Sequence, residues 1–258
     1  MGYPGGKAGA GIFQRLINMM PPHDAYIEPF LGGGAILRAK RLARVSIGAD
    51  LHLPALEEAR LTLAKSGDAA VRVVTGIDMA ISLTVTALAQ RRSRNFILLL
   101  HGDGIELMRR YPYKGRELVY ADPPYVRHTR RTTRDIYEFE MTDDDHTRFL
   151  EAANAASCRV MISGYDSEMY AAALSDWRSE TYQAPTRGRP AQETVWFNFK
   201  RPRVLHDYSY LGGNFREREK IKRRKCRWVK RLKAMDETER GAMLDAIRDA
   251  CPEIDITD

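Results

Sequence analysis

Residues 25–50 read AYIEPFLGGGAILRAKRLARVSIGAD. An apolar run, Ala25–Phe30, has the composition of a strand and breaks at Leu31-Gly32-Gly33-Gly34. A helix-like stretch, Ala35–Leu42, follows, and a second apolar run, Val45–Asp50, ends in an acid. Glycines at a strand-to-helix turn let the loop double back tightly and bring backbone N–H groups against a ligand at the helix start. An acid at the tip of the second strand is where α/β folds accept hydrogen bonds from ribose hydroxyls. Strand, glycine turn, helix, strand and acid in this order point to a nucleoside-containing ligand on a parallel sheet.

Working outward, the alternation of short apolar runs with helix-like stretches continues to about residue 200, the pattern of a mostly parallel α/β sheet. Five further strands are expected at Asn95–Leu100, Leu118–Ala121, Arg159–Ser163, Glu180–Ala184 and Thr194–Phe199, which makes seven. Helices are expected at Leu53–Lys65, Asp143–Ala156 and Ser167–Leu174, the second opened by Thr142–Asp145 with acids in its first turn. Residues 201–213 read as a linker and 214–258 as a charged helical tail.

The 258 residues are 44% hydrophobic and 29% charged with 19 glycines, which excludes disordered and collagen-like classes. No window reaches the roughly 18 consecutive apolar residues of a membrane span. The start, MGYPGGKAGAG, lacks the apolar core of a secretory signal, so a cytoplasmic location is expected. Cys158, Cys226 and Cys251 stand far apart in no metal or disulfide pattern. The net charge is +7, and it is concentrated: Asn214–Lys233 holds eleven basic and two acidic residues, leaving the rest slightly acidic. Such a stripe attracts a polyanion, and without a broad apolar face it is not built to lie on a membrane.

The element that carries chemistry is Tyr120-Ala121-Asp122-Pro123-Pro124-Tyr125, after the fourth expected strand. Two prolines remove two backbone donors and fix φ, so the Asp122 carboxylate and the neighbouring carbonyls are held at a strand end without local competition. An exocyclic amine there donates one hydrogen bond to the carboxylate and one to a carbonyl, while Tyr125 offers a ring for stacking.

In these residues the chain resembles the Dam-like N6-adenine DNA methyltransferases. Tyr3-Pro4-Gly5-Gly6-Lys7 looks like their N-terminal motif, Glu28–Ala35 like the donor loop, and Asp122–Tyr125 is their DPPY motif. His101-Gly102-Asp103 resembles the GD element, and Ser163-Gly164-Tyr165 and Glu193–Asn198 resemble later landmarks. The resemblance covers residues 1–200 and implies a Rossmann-like methyltransferase fold, S-adenosylmethionine as cofactor and double-stranded DNA as partner. It implies that Tyr3, Gly5, Gly6 and Lys7 lie near the methionine part of the donor and that Glu28, Pro29, Phe30, Gly32, Gly33 and Gly34 form the loop beneath it. Asp50 would take the ribose and Asp103 the donor's adenine. Asp122, Pro123, Pro124 and Tyr125 would hold a flipped target adenine, Asp122 drawing the amino lone pair toward the methyl carbon. This chemistry calls for no metal.

The chain departs from the family between Asp50 and Asp122, where 71 residues must also supply helices and a strand, leaving only a reduced target-recognition region within 51–94. Short or relaxed site preference is therefore expected. Arg127, Arg130, Arg131 and Arg134 after DPPY, and Lys222, Arg223, Arg224, Lys225, Arg227 and Lys230 in the tail, are the expected phosphate contacts. Adenine methylation of RNA, N4-cytosine methylation, a nicotinamide dehydrogenase and a non-catalytic nucleic-acid-binding protein on this scaffold remain the rival readings.

Overall fold

A computed structural model describes residues 7, 9, 11–90, 94–129, 138–184 and 191–251. Its eight strands are β1 (Ala25–Glu28), β2 (Val45–Asp50), β3 (Ala69–Val74), β4 (Asn95–His101), β5 (Glu117–Ala121), β6 (Arg159–Gly164), β7 (Arg178–Ala184) and β8 (Ala191–Phe197). The helices of the body are α1 (Ile12–Ile17), α2 (Ala35–Ala39), α3 (Leu53–Ser66), α4 (Ile77–Ala89), α5 (Gly104–Arg110), α6 (Asp143–Ala155) and α7 (Glu168–Ala173); α8 (Phe215–Ala234) and α9 (Glu237–Ala250) follow.

The strands form one sheet in the order β3-β4-β2-β1-β5-β6-β8-β7. Every pairing is parallel except β6 with β8 and β8 with β7. This is a Rossmann-like fold, a mixed sheet with helices on both faces. Its inner strands are buried on both sides and alternate faces residue by residue. Ile27, Leu98 and Val119 join Leu107 of α5 and Phe149 of α6 in one core. Tyr26, Leu99 and Leu118 join Leu16 of α1, Leu37 of α2 and Leu56 of α3 in the other.

The sheet corrects the expected count of seven strands to eight. The additional strand, β3, pairs with β4 at the sheet edge, in a stretch assigned above to the reduced recognition region. In Ala69–Val74 only Ala69, Val74 and the half-covered Val71 and Val73 face the body, so the stretch lacks the long apolar run of the inner strands. An edge strand needs only one buried side. β1 stops at Glu28, two residues short of the expected Phe30, because Pro29 has no N–H to extend the ladder.

The topology positions the site. Strand order reverses between β1 and β5, which pair directly, so the loop after β1 and the loop after β5 emerge side by side at the carboxyl edge. Ligands of open α/β sheets bind at such a crevice. The loop after β1 turns through Gly34, the N-cap of α2, at φ +61°, a conformation that favours glycine.

Residues 205–211 pack on the body. The His206 N–H donates to the Met20 carbonyl at 3.0 Å, and its ring stacks on His23 with centroids 3.8 Å apart. Burial lowers the His206 imidazole to about 4 and the His23 imidazole well below its ordinary value. Asp207 accepts the Arg41 N–H at 2.7 Å, and the Tyr210 hydroxyl donates to the Ala39 carbonyl at 3.0 Å. Beyond this anchor, the Asn214 side chain caps α8 by accepting the Glu217 N–H at 2.9 Å, and neither α8 nor α9 has a buried residue. Among the described residues no helix is long and apolar enough to cross a membrane.

Gly104 at the start of α5 lies against the glycine loop: a Cβ there would sit 1.9 Å from the Pro29 carbonyl oxygen. Backbone cannot rotate away as a side-chain tip does, so Gly104→Ala must displace the loop. The expected cost is about 3 kcal/mol, a fall in Tm of about 6–12 °C by calorimetry.

Candidate active site

At the carboxyl edge a cleft is lined by Pro29, Phe30 and Gly32 from the loop after β1, Asp50 from the end of β2, Asp103 from the turn before α5, and Asp122 and Pro124 after β5. Parallel strands of one sheet thus bring seven of the expected site residues to one surface. Ile105, Phe139, Met141 and Asp145 complete the walls, and the Phe30 ring is braced edge-on by Phe149 at 5.3 Å.

Asp50 accepts the Gly32 N–H at 2.7 Å and the His52 N–H at 2.8 Å, one on each carboxylate oxygen. These bonds fix the acid and pin the glycine loop to the tip of β2. Two of about four acceptor positions remain for a ligand's hydroxyls. Burial raises the Asp50 carboxyl, and the His52 and Gly32 amides oppose that shift. Asp103 serves a second purpose as N-cap of α5, accepting the Ile105 N–H at 2.8 Å through Oδ1. Its Oδ2 faces Arg148 at 3.7 Å.

Asp122 is held from behind. Lys7 Nζ lies 3.0 Å from its Oδ1, and the Ser163 hydroxyl donates to the same oxygen at 2.9 Å. Ser163 in turn pairs with the Tyr120 hydroxyl at 2.9 Å. Among the described residues no protein donor reaches Asp122 Oδ2, and Asp122 lines the cleft. The two supports on one oxygen fix the carboxylate. Burial raises the Asp122 carboxyl above the ordinary range, Glu193 adds to this, and Lys7 and Ser163 oppose it.

Lys7 is 3% exposed and anchors more than Asp122. Its ammonium lies 3.2 Å from Glu193 Oε2 of β8, hydrogen-bonds the Tyr125 hydroxyl and sits 5.0 Å from the Tyr125 ring centroid. Glu193 accepts from the Tyr125 hydroxyl at 3.1 Å and from the Tyr182 hydroxyl of β7 at 2.6 Å. Burial alone would lower the ammonium, but Asp122, Tyr120 and Glu193 outweigh it and hold Lys7 well above the ordinary lysine value. Lys7 thus stands on the Asp122 side of the site, behind the cleft lining.

The other expected residues are placed as follows. Tyr125 is buried, its ring 4.3 Å from that of Tyr165, and Pro123 is buried beside it. Glu28 lies beneath the sheet end, accepting from the Tyr26 hydroxyl at 3.0 Å, and burial pushes its carboxyl up to about 8. Gly33 and Gly34 turn the loop without lining the cleft. Arg127 is exposed in a short 3-10 turn after DPPY. Lys222, Arg223, Arg224, Lys225, Arg227 and Lys230 are exposed on α8. Tyr3, Gly5, Gly6, Arg130, Arg131 and Arg134 lie outside the described residues.

Sequence reasoning missed Tyr182 as a member of the cluster and noted Glu193 and Ser163 only as landmarks. A signal existed for Glu193: it stands just before the apolar run Val195–Phe197, and a carboxylate placed in a buried strand requires a partner. The wall from Phe139 to Met141 carries no motif. Among the described residues no group of three His, Cys, Asp or Glu stands close enough to hold a metal ion.

No family model and no curated protein matches this chain. Solved structures similar to it include an rRNA methylase from Streptococcus thermophilus, at 13% identity over 72% of this chain and 93% of that one, TM-score 0.42. TrmK of M. capricolum in complex with S-adenosyl-homocysteine is similar at 9% identity over 95% and 97%, TM-score 0.44. A precorrin 8W decarboxylase from Methanobacterium thermoautotrophicum is similar at 10% identity over 77% and 94%, TM-score 0.46.

Replacing Lys7 leaves the buried Glu193 and the half-buried Asp122 without their cation. Lys7→Ala is expected to cost about 3–5 kcal/mol in denaturant unfolding at neutral pH. The sign of its pH dependence follows from the same cluster. Burial already raises the Asp122 carboxyl and Lys7 opposes that shift, so without the ammonium folded Asp122 holds its proton more tightly than unfolded Asp122, and the deficit narrows as pH is lowered from 7 toward 5.

Proposed function

We propose that this chain transfers the methyl group of S-adenosylmethionine to the N6 amino group of adenine in DNA, with short or relaxed site preference. The observation that supports this reading is Asp122: its Oδ1 is held by Lys7 and Ser163, no donor among the described residues reaches its Oδ2, and the residue lines the cleft beside Pro124. A carboxylate so arranged accepts a hydrogen bond from an exocyclic amine while its own position stays fixed.

The donor's groups fit the residues present. Asp50 retains acceptor capacity for ribose hydroxyls, Asp103 faces the same cleft, and Phe30, Ile105 and Phe139 offer apolar walls to a flat ring. S-adenosylmethionine supplies an electrophilic methyl group on a sulfonium. Asp122 and a carbonyl of the proline pair orient the amine so that the nitrogen lone pair faces that carbon. The N–C bond forms as the S–C bond breaks, and the now cationic amine releases its proton to Asp122 or water. Holding two reactants in line is worth up to about 7–11 kcal/mol.

DNA as acceptor rests on the likeness of the ordered motifs to the Dam-like enzymes and on the basic α8. The eleven cations of Asn214–Lys233, all exposed but the half-buried Arg218, suit a phosphate backbone and read no bases. Residues 51–89 form α3, β3 and α4 around one sheet edge, which supports limited sequence readout.

Asp122→Ala is expected to lower methyl transfer to DNA by about a hundredfold or more, with donor affinity by calorimetry within threefold of the unchanged chain. Full transfer by this variant contradicts the proposed role of Asp122.

A further inference from the structure

A second cleft lies on the other side of the Lys7–Glu193 cluster. It is bounded by α1, by β7, and by residues 201–214 with the first turn of α8. Four guanidinium side chains line it: Arg15 from α1, Arg201 and Arg203 from the stretch after β8, and Arg218 from α8. The one carboxylate among its lining residues, Glu180, is engaged by Arg178.

Arg15, Arg201 and Arg203 are exposed, and among the described residues none of them has a carboxylate partner. The Arg15 guanidinium sits 5.5 Å from the Tyr182 ring centroid, and Tyr182 is the residue whose hydroxyl donates to Glu193. Arg218 reaches only the Gly212 carbonyl, at 3.5 Å. An arginine alone on a surface is ordinarily solvated. Here separate segments of the chain bring four to one concavity, at a cost in mutual repulsion; Glu217, the acid beside Arg218, is taken up by the Gly213 N–H and the Asn214 side chain at 2.9 and 3.0 Å.

The wall that carries Arg201 and Arg203 leads into a fixed segment. The buried His206–His23 stack, Asp207 and Tyr210 tie residues 205–211 to the body. The guanidinium fork matches phosphate oxygens in two-point contacts. Tyr208, 42% exposed at the same cleft, offers a ring face to a base. The cleft ends at Asn214 and Arg218, where α8 begins, and Arg216, Lys220, Arg223 and Arg227 continue along that helix. A single phosphate would leave this track mostly empty, whereas a polyanion would fill it.

We infer that this cleft is a phosphodiester-binding groove, which seats the nucleic-acid backbone between the body and α8 and holds the polymer against the catalytic edge. The inference rests on the nucleic-acid reading proposed above and assigns it residues outside the tail and the DPPY loop.

The test is binding of fluorescently labelled duplex DNA, single-stranded DNA and RNA of equal length to the full chain, across a salt series, with no methyl transfer required. The R15A/R201A/R203A variant is expected to bind at least tenfold more weakly at low salt. Its log–log salt slope on the polymer held should become shallower by about 2–3, because each phosphate contact contributes roughly 0.9 on duplex and 0.7 on single strands. Binding of S-adenosyl-homocysteine should stay unchanged, and R15K/R201K/R203K should keep most of the slope. Arg203→Glu alone, at an exposed position, shifts affinity and slope the same way and keeps the test independent of the triple variant's folding. Wild-type binding that these variants retain in full overturns the groove and leaves the methyl-transfer reading standing. Failure of the wild-type chain to bind any of the polymers overturns both.

Discussion

The buried Lys7 ammonium is the interaction on which the site depends. It joins the N-terminal segment to Asp122 after β5 and to Glu193 on β8, elements that meet only once the sheet has formed. Three charges withdrawn from water are tolerable because each has a partner: Ser163 for Asp122, and Tyr125 and Tyr182 for Glu193. The arrangement leaves one Asp122 oxygen without a protein donor among the described residues, at a position that lines the cleft. In the proposed reaction, stability and chemistry therefore share the same atoms, with Asp122 held in place by the fold before any substrate arrives.

Around that cluster the backbone does the positioning. Asp50 pins Gly32, and Gly104 lets α5 come against Pro29. The two ends of the crevice are thereby tied to strands β2 and β4 as well as to β1. On the opposite flank, the His206 anchor turns a charged connector into a wall of the body, from which α8 departs with its cations exposed. Neutral imidazoles suit this anchor, since both rings are buried with Lys40 nearby.

Much of this was legible in the residues. The run from Ala25 to Asp50, the DPPY motif and the basic segment each showed its place, because glycine loops, strand-end acids and charge runs act over short stretches of chain. The eighth strand was not legible, since Ala69–Val74 sits at an edge and buries only part of itself. Nor was the partner of Lys7, because a contact across 115 residues with Asp122 has no local signature. His206 and Tyr210 read as parts of a linker for the same reason: their partners, His23 and Ala39, lie far back in the chain.

The most direct measurement is mass spectrometry of nucleosides digested after the purified chain has been incubated with labelled S-adenosylmethionine and, in parallel, unmethylated duplex DNA, single-stranded DNA and RNA. The account predicts labelled N6-methyladenine from DNA, at a density showing short or relaxed site preference. Donor binding with no label transferred to any of the polymers would contradict it.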